Sequence, residues 1–249
     1  MKNLCFIGTS HLGALAIAWN KRLAPQYPEF KAGFFTGPNT SLYEAEFLPQ
    51  HIKAPVGSKL EAFFQLSANG QSSIELADYD YFIFQSLDFP WKGIFELANL
   101  LGTAGSEPQQ FFSLASLETA ITTNLERSPI KRYVEHMRNY TAAPIIVSMT
   151  AKTSILALDK HPQEYAAYLQ WAEFFEDLFK QASAKVFNYP NLSLVAQPEE
   201  TLANPYFTKL EYLNAYGKHE LNEITDYWHK KPKYGKAVLI KILEQLKTL

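Results

Sequence analysis

The chain holds one cysteine, Cys5, in 249 residues, so no internal disulfide is available and nothing points to an oxidising compartment. Cys5 stands inside an apolar run, where a small buried side chain is expected. No stretch of about 18 consecutive apolar residues occurs, which excludes a spanning helix. The apolar N-terminus is interrupted by Gly8, Thr9, Ser10 and His11, and no small-residue cleavage site follows it. The expectation is a cytoplasmic protein without a secretory leader. Positive charge is not in excess: 23 Lys plus Arg stand against 25 Asp plus Glu. A nucleic-acid partner held by a basic stripe is therefore excluded. No Cys or His pair has metal-ligand spacing; His219-Glu220 opens like a zinc-protease helix, but Glu223 stands where the second histidine is needed. Neither a metal nor a nucleotide cofactor is implied.

What the sequence does have is apolar matter. Hydrophobic residues make up 47%, aromatic residues 14% and charged residues only 19%, enough to fill a core. Five short runs, 3–7, 32–36, 81–85, 144–149 and 192–196, are β-branched or aromatic and bounded by turn residues. They predict strands, and their near-continuous hydrophobicity suits a parallel sheet covered on both faces. Helical spacing follows the first run (Leu12, Leu15, Trp19, Leu23) and the fourth (Tyr165, Tyr168, Ala172, Phe175, Phe179), and returns at the end (Val238, Leu239, Ile242, Leu246). The class is α/β, in three layers. Residues 108–140 lack strand signals and predict a helical insertion, broken near Ser128-Pro129, over the sheet's carboxyl edge. With no linker or repeat, residues 1–249 read as one domain.

In an open α/β sheet, ligands bind outside the carboxyl ends of the strands. The first such turn is Gly8-Thr9-Ser10-His11-Leu12-Gly13. A dinucleotide loop needs glycine where Ser10 stands, and a phosphate loop needs lysine after Gly13, where Ala14 stands. Ser10 has two readings. It is placed as a nucleophile on a sharp strand-to-helix turn, and serine is equally a favoured helix N-cap. Near the other end, Asp226-Tyr227-Trp228-His229 spaces a carboxylate three residues before an imidazole. A serine nucleophile needs that pair: a base within hydrogen-bond reach and an acid to orient it. Lys230, Lys231 and Lys233 read as a solvated face.

Taken together, these residues resemble the SGNH (GDSL-like) hydrolase superfamily. That superfamily has a Gly-Asp-Ser block after its first strand and Asp-x-x-His shortly before its last helix. Here the first block is Gly8-Thr9-Ser10, continued by His11-Leu12-Gly13-Ala14-Leu15. The last is Asp226-x-x-His229, with Tyr234-Gly235 leading into the closing helix. The resemblance spans nearly the whole chain. It implies a flavodoxin-like three-layer α/β/α sandwich with a parallel five-stranded sheet, with Ser10 as nucleophile, His229 as general base and Asp226 as its orienting carboxylate.

The resemblance also implies oxyanion donors: the Ser10 amide, a glycine after the second strand and an asparagine after the third. Gly37 stands in the glycine's place, followed by Pro38, which has no N–H. After the third strand comes Gln85-Ser86-Leu87-Asp88, with Leu87 in the asparagine's place; Gln85 and Asn39 are the candidates to substitute. His11, next to the nucleophile, is assigned to substrate contact. The implied activity is serine-dependent hydrolysis of acyl esters, on small acyl groups of carbohydrates. Two alternatives stay open: an O-acyltransferase modifying a surface polysaccharide, and a catalytically silent glycan-binding module. Residues 108–140 and 204–226 are long enough to wall a cleft, the latter offering Tyr206, Phe207, Tyr212 and Tyr216 to a sugar face. Nothing in the sequence sets an oligomeric state.

Overall fold

Alternate residues along each central strand feed two different cores, as a period of two requires. In β1 (Lys2–Gly8), Leu4 and Phe6 face one core while Cys5 and Ile7 face the other. After β2 (Phe30–Thr36), the pattern repeats in β3 (Tyr81–Gln85), where Ile83 opposes Phe82 and Phe84. It repeats again in β4 (Ile145–Ser148), where Ile146 opposes Ile145 and Val147. With β5 (Leu192–Val195) these strands form an all-parallel sheet in the order β2-β1-β3-β4-β5. That order is flavodoxin-like. All five strands lie where the apolar runs predict them. The computed structural model describes residues 1–85, 91–102, 112–217 and 220–249, with the side chains of Asn39, Trp91 and Lys92 outside that description.

Eight α-helices occur among the described residues: α1 (Leu12–Ala18), α2 (Lys59–Ser67), α3 (Trp91–Leu101), α4 (Leu114–Glu126), α5 (Pro129–Arg138), α6 (Ile155–Lys160), α7 (Pro162–Val186) and α8 (Pro232–Leu246). Helices α1 and α8 cover one face through Leu12, Leu15, Val238, Leu239 and Ile242. Helices α2, α3, α4, α5 and α7 share the core of the other face. The chain is thus a three-layer α/β/α sandwich. The described part of 108–140 is helical and breaks at Ser128-Pro129 as expected. Its expected place over the carboxyl edge is not where α5 lies. Tyr133 packs edge-on against Phe84 of β3, centroids 5.7 Å apart, on the sheet's face. Its apolar stripe of Ile130, Tyr133, Val134 and Met137 demanded that burial.

Two smaller strand groups carry no signal in the apolar pattern. Glu46–Leu48, His51–Lys53 and Ser73–Glu75 form an antiparallel three-stranded sheet, and Leu202–Asn204 pairs with Phe207–Thr208. Two glycines fix the layers at close range. A Cβ on Gly8 would stand 2.4 Å from the Gln85 carbonyl oxygen, and one on Gly235 would stand 2.3 Å from that of Ala14. Only glycine lets β1 meet β3, and α8 meet α1, at these distances. No described helix is long and apolar enough to cross a membrane.

Candidate active site

Serine opens four of the described helices. The hydroxyls of Ser58, Ser113, Ser128 and Ser154 accept from the amides of Glu61, Ser116, Lys131 and Leu156. Ser10 does not join them. The cap position of α1 falls on His11, whose backbone is already helical, and no side chain caps that end. The N-cap reading of Ser10 is therefore overturned. Its exposed hydroxyl Oγ lies 3.0 Å from Nε2 of His229.

The opposite ring nitrogen of His229, Nδ1, lies 2.8 Å from Oδ2 of Asp226. A carboxylate only accepts, so Nδ1 carries the proton and Nε2 is left to accept from the serine. The other carboxylate oxygen, Oδ1, accepts from the amides of Trp228 at 3.0 Å and His229 at 3.2 Å. Burial by itself would raise the Asp226 carboxyl. The two amides and the imidazole outweigh it and hold that carboxyl below its ordinary range.

Tertiary hydrogen bonds fix this short turn. The Asn214 amide donates to the His229 carbonyl at 2.8 Å, and the Lys231 amide donates to that of Tyr212 at 2.8 Å. The Ser154 amide and the Lys230 ammonium both donate to the Tyr227 carbonyl, at 3.0 and 3.1 Å. Pro232, at the first turn of α8, ends the extended segment and starts the helix. Glycine at 235 then lets that helix seat on α1, which carries the serine turn at its start.

Lys230 corrects the sequence reading of a solvated lysine face: it is only 7% exposed. Burial pushes its amine down to about 7, against the opposing pull of Asp226. No local signal separates it from its neighbours, because its burial comes from the antiparallel bridge between Leu213 and Lys230. Lys233, in contrast, is exposed and pairs with Glu211 at 2.9 Å.

His11 is also placed differently from expectation. Its ring lies stacked on that of His229, with centroids 5.1 Å apart and planes 16° from parallel. Burial, then electrostatic coupling to His229 and Lys230, lowers its pKa to about 4, with Asp226 opposing. His11 is neutral at ordinary pH.

The remaining expected residues flank Gly8 at the carboxyl end of β1. Thr36 and Gln85 are its register partners on either side. The Gly37 amide donates to the Gly8 carbonyl at 2.9 Å, so in this arrangement it is not the oxyanion donor expected of it. Gln85 is buried, and its side-chain nitrogen donates to the Met149 carbonyl at 3.2 Å. Asn39 opens a short 3-10 turn, but its side chain lies outside the described residues, as do Ser86, Leu87, Asp88 and His219. Of the four aromatic residues expected to face a sugar, Phe207 and Tyr212 are core, at 0% and 6% exposure. Tyr206 is partly buried; Tyr216 is exposed, with the Lys231 ammonium 5.0 Å from its ring centroid. Among the described residues, no three His, Cys, Asp or Glu side chains gather to hold a metal ion.

No family model and no curated protein matches the chain. Among solved structures, it is similar to an extracellular lipase from Streptomyces rimosus, with 10% identity over 98% of this chain and 99% of that one, at a TM-score of 0.49. It is similar as well to a phospholipase A1 from Streptomyces albidoflavus, with 8% identity, 98% of both chains and a TM-score of 0.49. A carbohydrate acetylesterase family member from Sinorhizobium meliloti is a third, with 10% identity over 100% of this chain and 98% of that one, at a TM-score of 0.47.

Proposed function

We propose that this protein is a serine-dependent acyl-ester hydrolase of the SGNH type, acting on small acyl groups of carbohydrates. The observation that carries the reading is the unbroken chain from Ser10 Oγ to His229 Nε2 and from His229 Nδ1 to Asp226 Oδ2, at 3.0 and 2.8 Å. A serine hydroxyl is a weak nucleophile until a base can take its proton. Ser10 Oγ attacks the acyl carbon while His229 Nε2 takes the proton, and Asp226 holds the tautomer and balances the imidazolium. His229 returns the proton to the leaving alcohol, and the acyl group stays on Ser10 as an ester. Water then attacks that ester, His229 again takes a proton, and the acid departs as Ser10 regains its hydrogen.

The tetrahedral oxygen needs donors aimed at it. The Ser10 amide makes no backbone hydrogen bond among the described residues, which leaves it for this role. On the sugar side, exposed Tyr216 offers an aromatic face beside Lys231, two positions beyond the base.

One observation favours a second reading, a catalytically silent glycan-binding module: the Gly37 amide is engaged by Gly8. A fluorophosphonate probe separates the two. An adduct located on Ser10 by mass, absent in His229→Ala, is the result expected of the hydrolase; a folded protein that stays unlabelled would be the binding module. Turnover of p-nitrophenyl acetate, with and without added oligosaccharide, then tests transfer: acylated sugar would replace the hydrolase with an O-acyltransferase.

A further inference from the structure

The hydrogen bonds to Asp226 and Ser10 fix the His229 ring along one line, and a contact on the face of the ring bears on its tilt about that line. The residue lying against its face is His11, nearly parallel at 5.1 Å. His11 is anchored by the start of α1, immediately after the serine, so the ring's support and the nucleophile share one rigid turn. Its Nδ1 is buried and makes no hydrogen bond among the described residues. A histidine held by polar contacts would use that atom; this one meets its neighbour through its π face.

A neutral aromatic ring attracts a cation lying over its face within about 6 Å. His229 becomes such a cation when it takes the proton from Ser10. The titratable groups that act on His11 are His229, Lys230 and Asp226. Burial holds His11 itself uncharged, so the imidazolium meets a π face and not a second positive charge.

We propose that His11 is a positioning residue that stacks under His229, keeps its ring in the plane joining Asp226 to Ser10, and stabilises the charge it gains in the transition state. The proposal rests on the hydrolase reading, since it assigns His229 the role of base. It departs from the substrate contact expected from sequence. An interaction that strengthens only when His229 is charged acts on turnover and leaves substrate binding alone.

The test compares His11→Leu, which fills the space without a π face, with His11→Phe, which restores the face. With p-nitrophenyl acetate, His11→Leu should lose about fivefold to thirtyfold in kcat with KM little changed. His11→Phe should recover most of that loss. Equal rates in the two variants, or a change confined to KM, would overturn the proposal. A second readout does not depend on turnover. The downfield proton signal of His229 Nδ1–H should be sharp in the wild type and in His11→Phe, and broadened in His11→Leu. The same sharp signal in all three would end the idea. If the wild type neither turns over the ester nor labels at Ser10, the hydrolase reading fails by itself, and the proton signal still decides whether His11 orders the ring.

Discussion

Ser10 Oγ and His229 Nε2 stand 3.0 Å apart although 219 positions separate them in the chain. The serine leaves the carboxyl end of β1, and the histidine arrives on the turn that feeds α8. The two meet because α8 seats on α1. Their contact is a property of the fold, and each partner's neighbours hold it in place.

Residues that act as one unit fail together. Ser10→Ala and His229→Ala should each lower turnover of a small ester by roughly ten-thousandfold or more, and the double variant should be little worse. Asp226→Asn should retain on the order of tenfold more activity than either, because the base is still present. Steady-state kinetics on the four proteins checks this; multiplicative losses would mean that the residues work separately.

Lys230 makes stability rise with pH. Its amine titrates near 7 in the folded protein and near 10.5 when unfolded, so the unfolded chain binds the extra proton between those values. The folded state therefore carries the full burden below about pH 7 and sheds it as pH climbs toward 10.5. Lys230→Met leaves the Tyr227 carbonyl its bond from the Ser154 amide. The variant should be more stable than the wild type at pH 6, by up to ~4 kcal/mol, with the gap closing by pH 10. Urea unfolding at the two pH values measures it.

His11 acts at the acid end. Its folded pKa, lowered from 6.5 to about 4, contributes stability that is present above 6.5 and lost as pH falls to about 4. His11→Phe has no such group. Its thermal midpoint should fall less steeply than that of the wild type over this window. Parallel curves would remove His11 from the account.

Two glycines near the site should respond in opposite ways to alanine. Gly235→Ala places a carbon 2.3 Å from the Ala14 carbonyl oxygen, which forces α8 off α1. A loss of roughly 2–3 kcal/mol or more is expected, with activity falling in step. Gly13→Ala, also helical but with nothing within 4 Å of its Cβ, should stabilise by about 0.5–1 kcal/mol. Equal effects in denaturant titrations would contradict this reading of α1 against α8.

The central sheet was legible because β1, β3 and β4 are buried on both faces over most of their length, so their runs are almost continuously apolar, and the less buried edge strands β2 and β5 keep enough of that pattern. The antiparallel sheet of Glu46–Leu48, His51–Lys53 and Ser73–Glu75 was not: each strand has three residues, and the first pairing depends on a hairpin turning at Gln50, whose φ is 65°. Ser10, Asp226 and His229 were legible as residues that could meet, since their spacing and termini match a known pattern. Whether Ser10 capped its helix was undecided by sequence, because capping depends on the backbone angles of His11. The burial of Lys230 and the stacking of His11 were invisible for a related reason. Both arise where the segment around Leu213 and the turn around Asp226 fold over α1, and no local pattern encodes that crossing.

The seating of α8 on α1 also bears on the protein's own synthesis. Ser10 is made 219 residues before its partner His229, on the order of 10–40 s at ordinary rates of synthesis. Throughout that interval the Ser10 hydroxyl of a nascent chain has no His229 to meet. A product cut short between His229 and Pro232 keeps both partners in its sequence, yet it lacks the helix that brings them together. The contact between Ser10 and His229 thus reports that synthesis has carried the chain through α8.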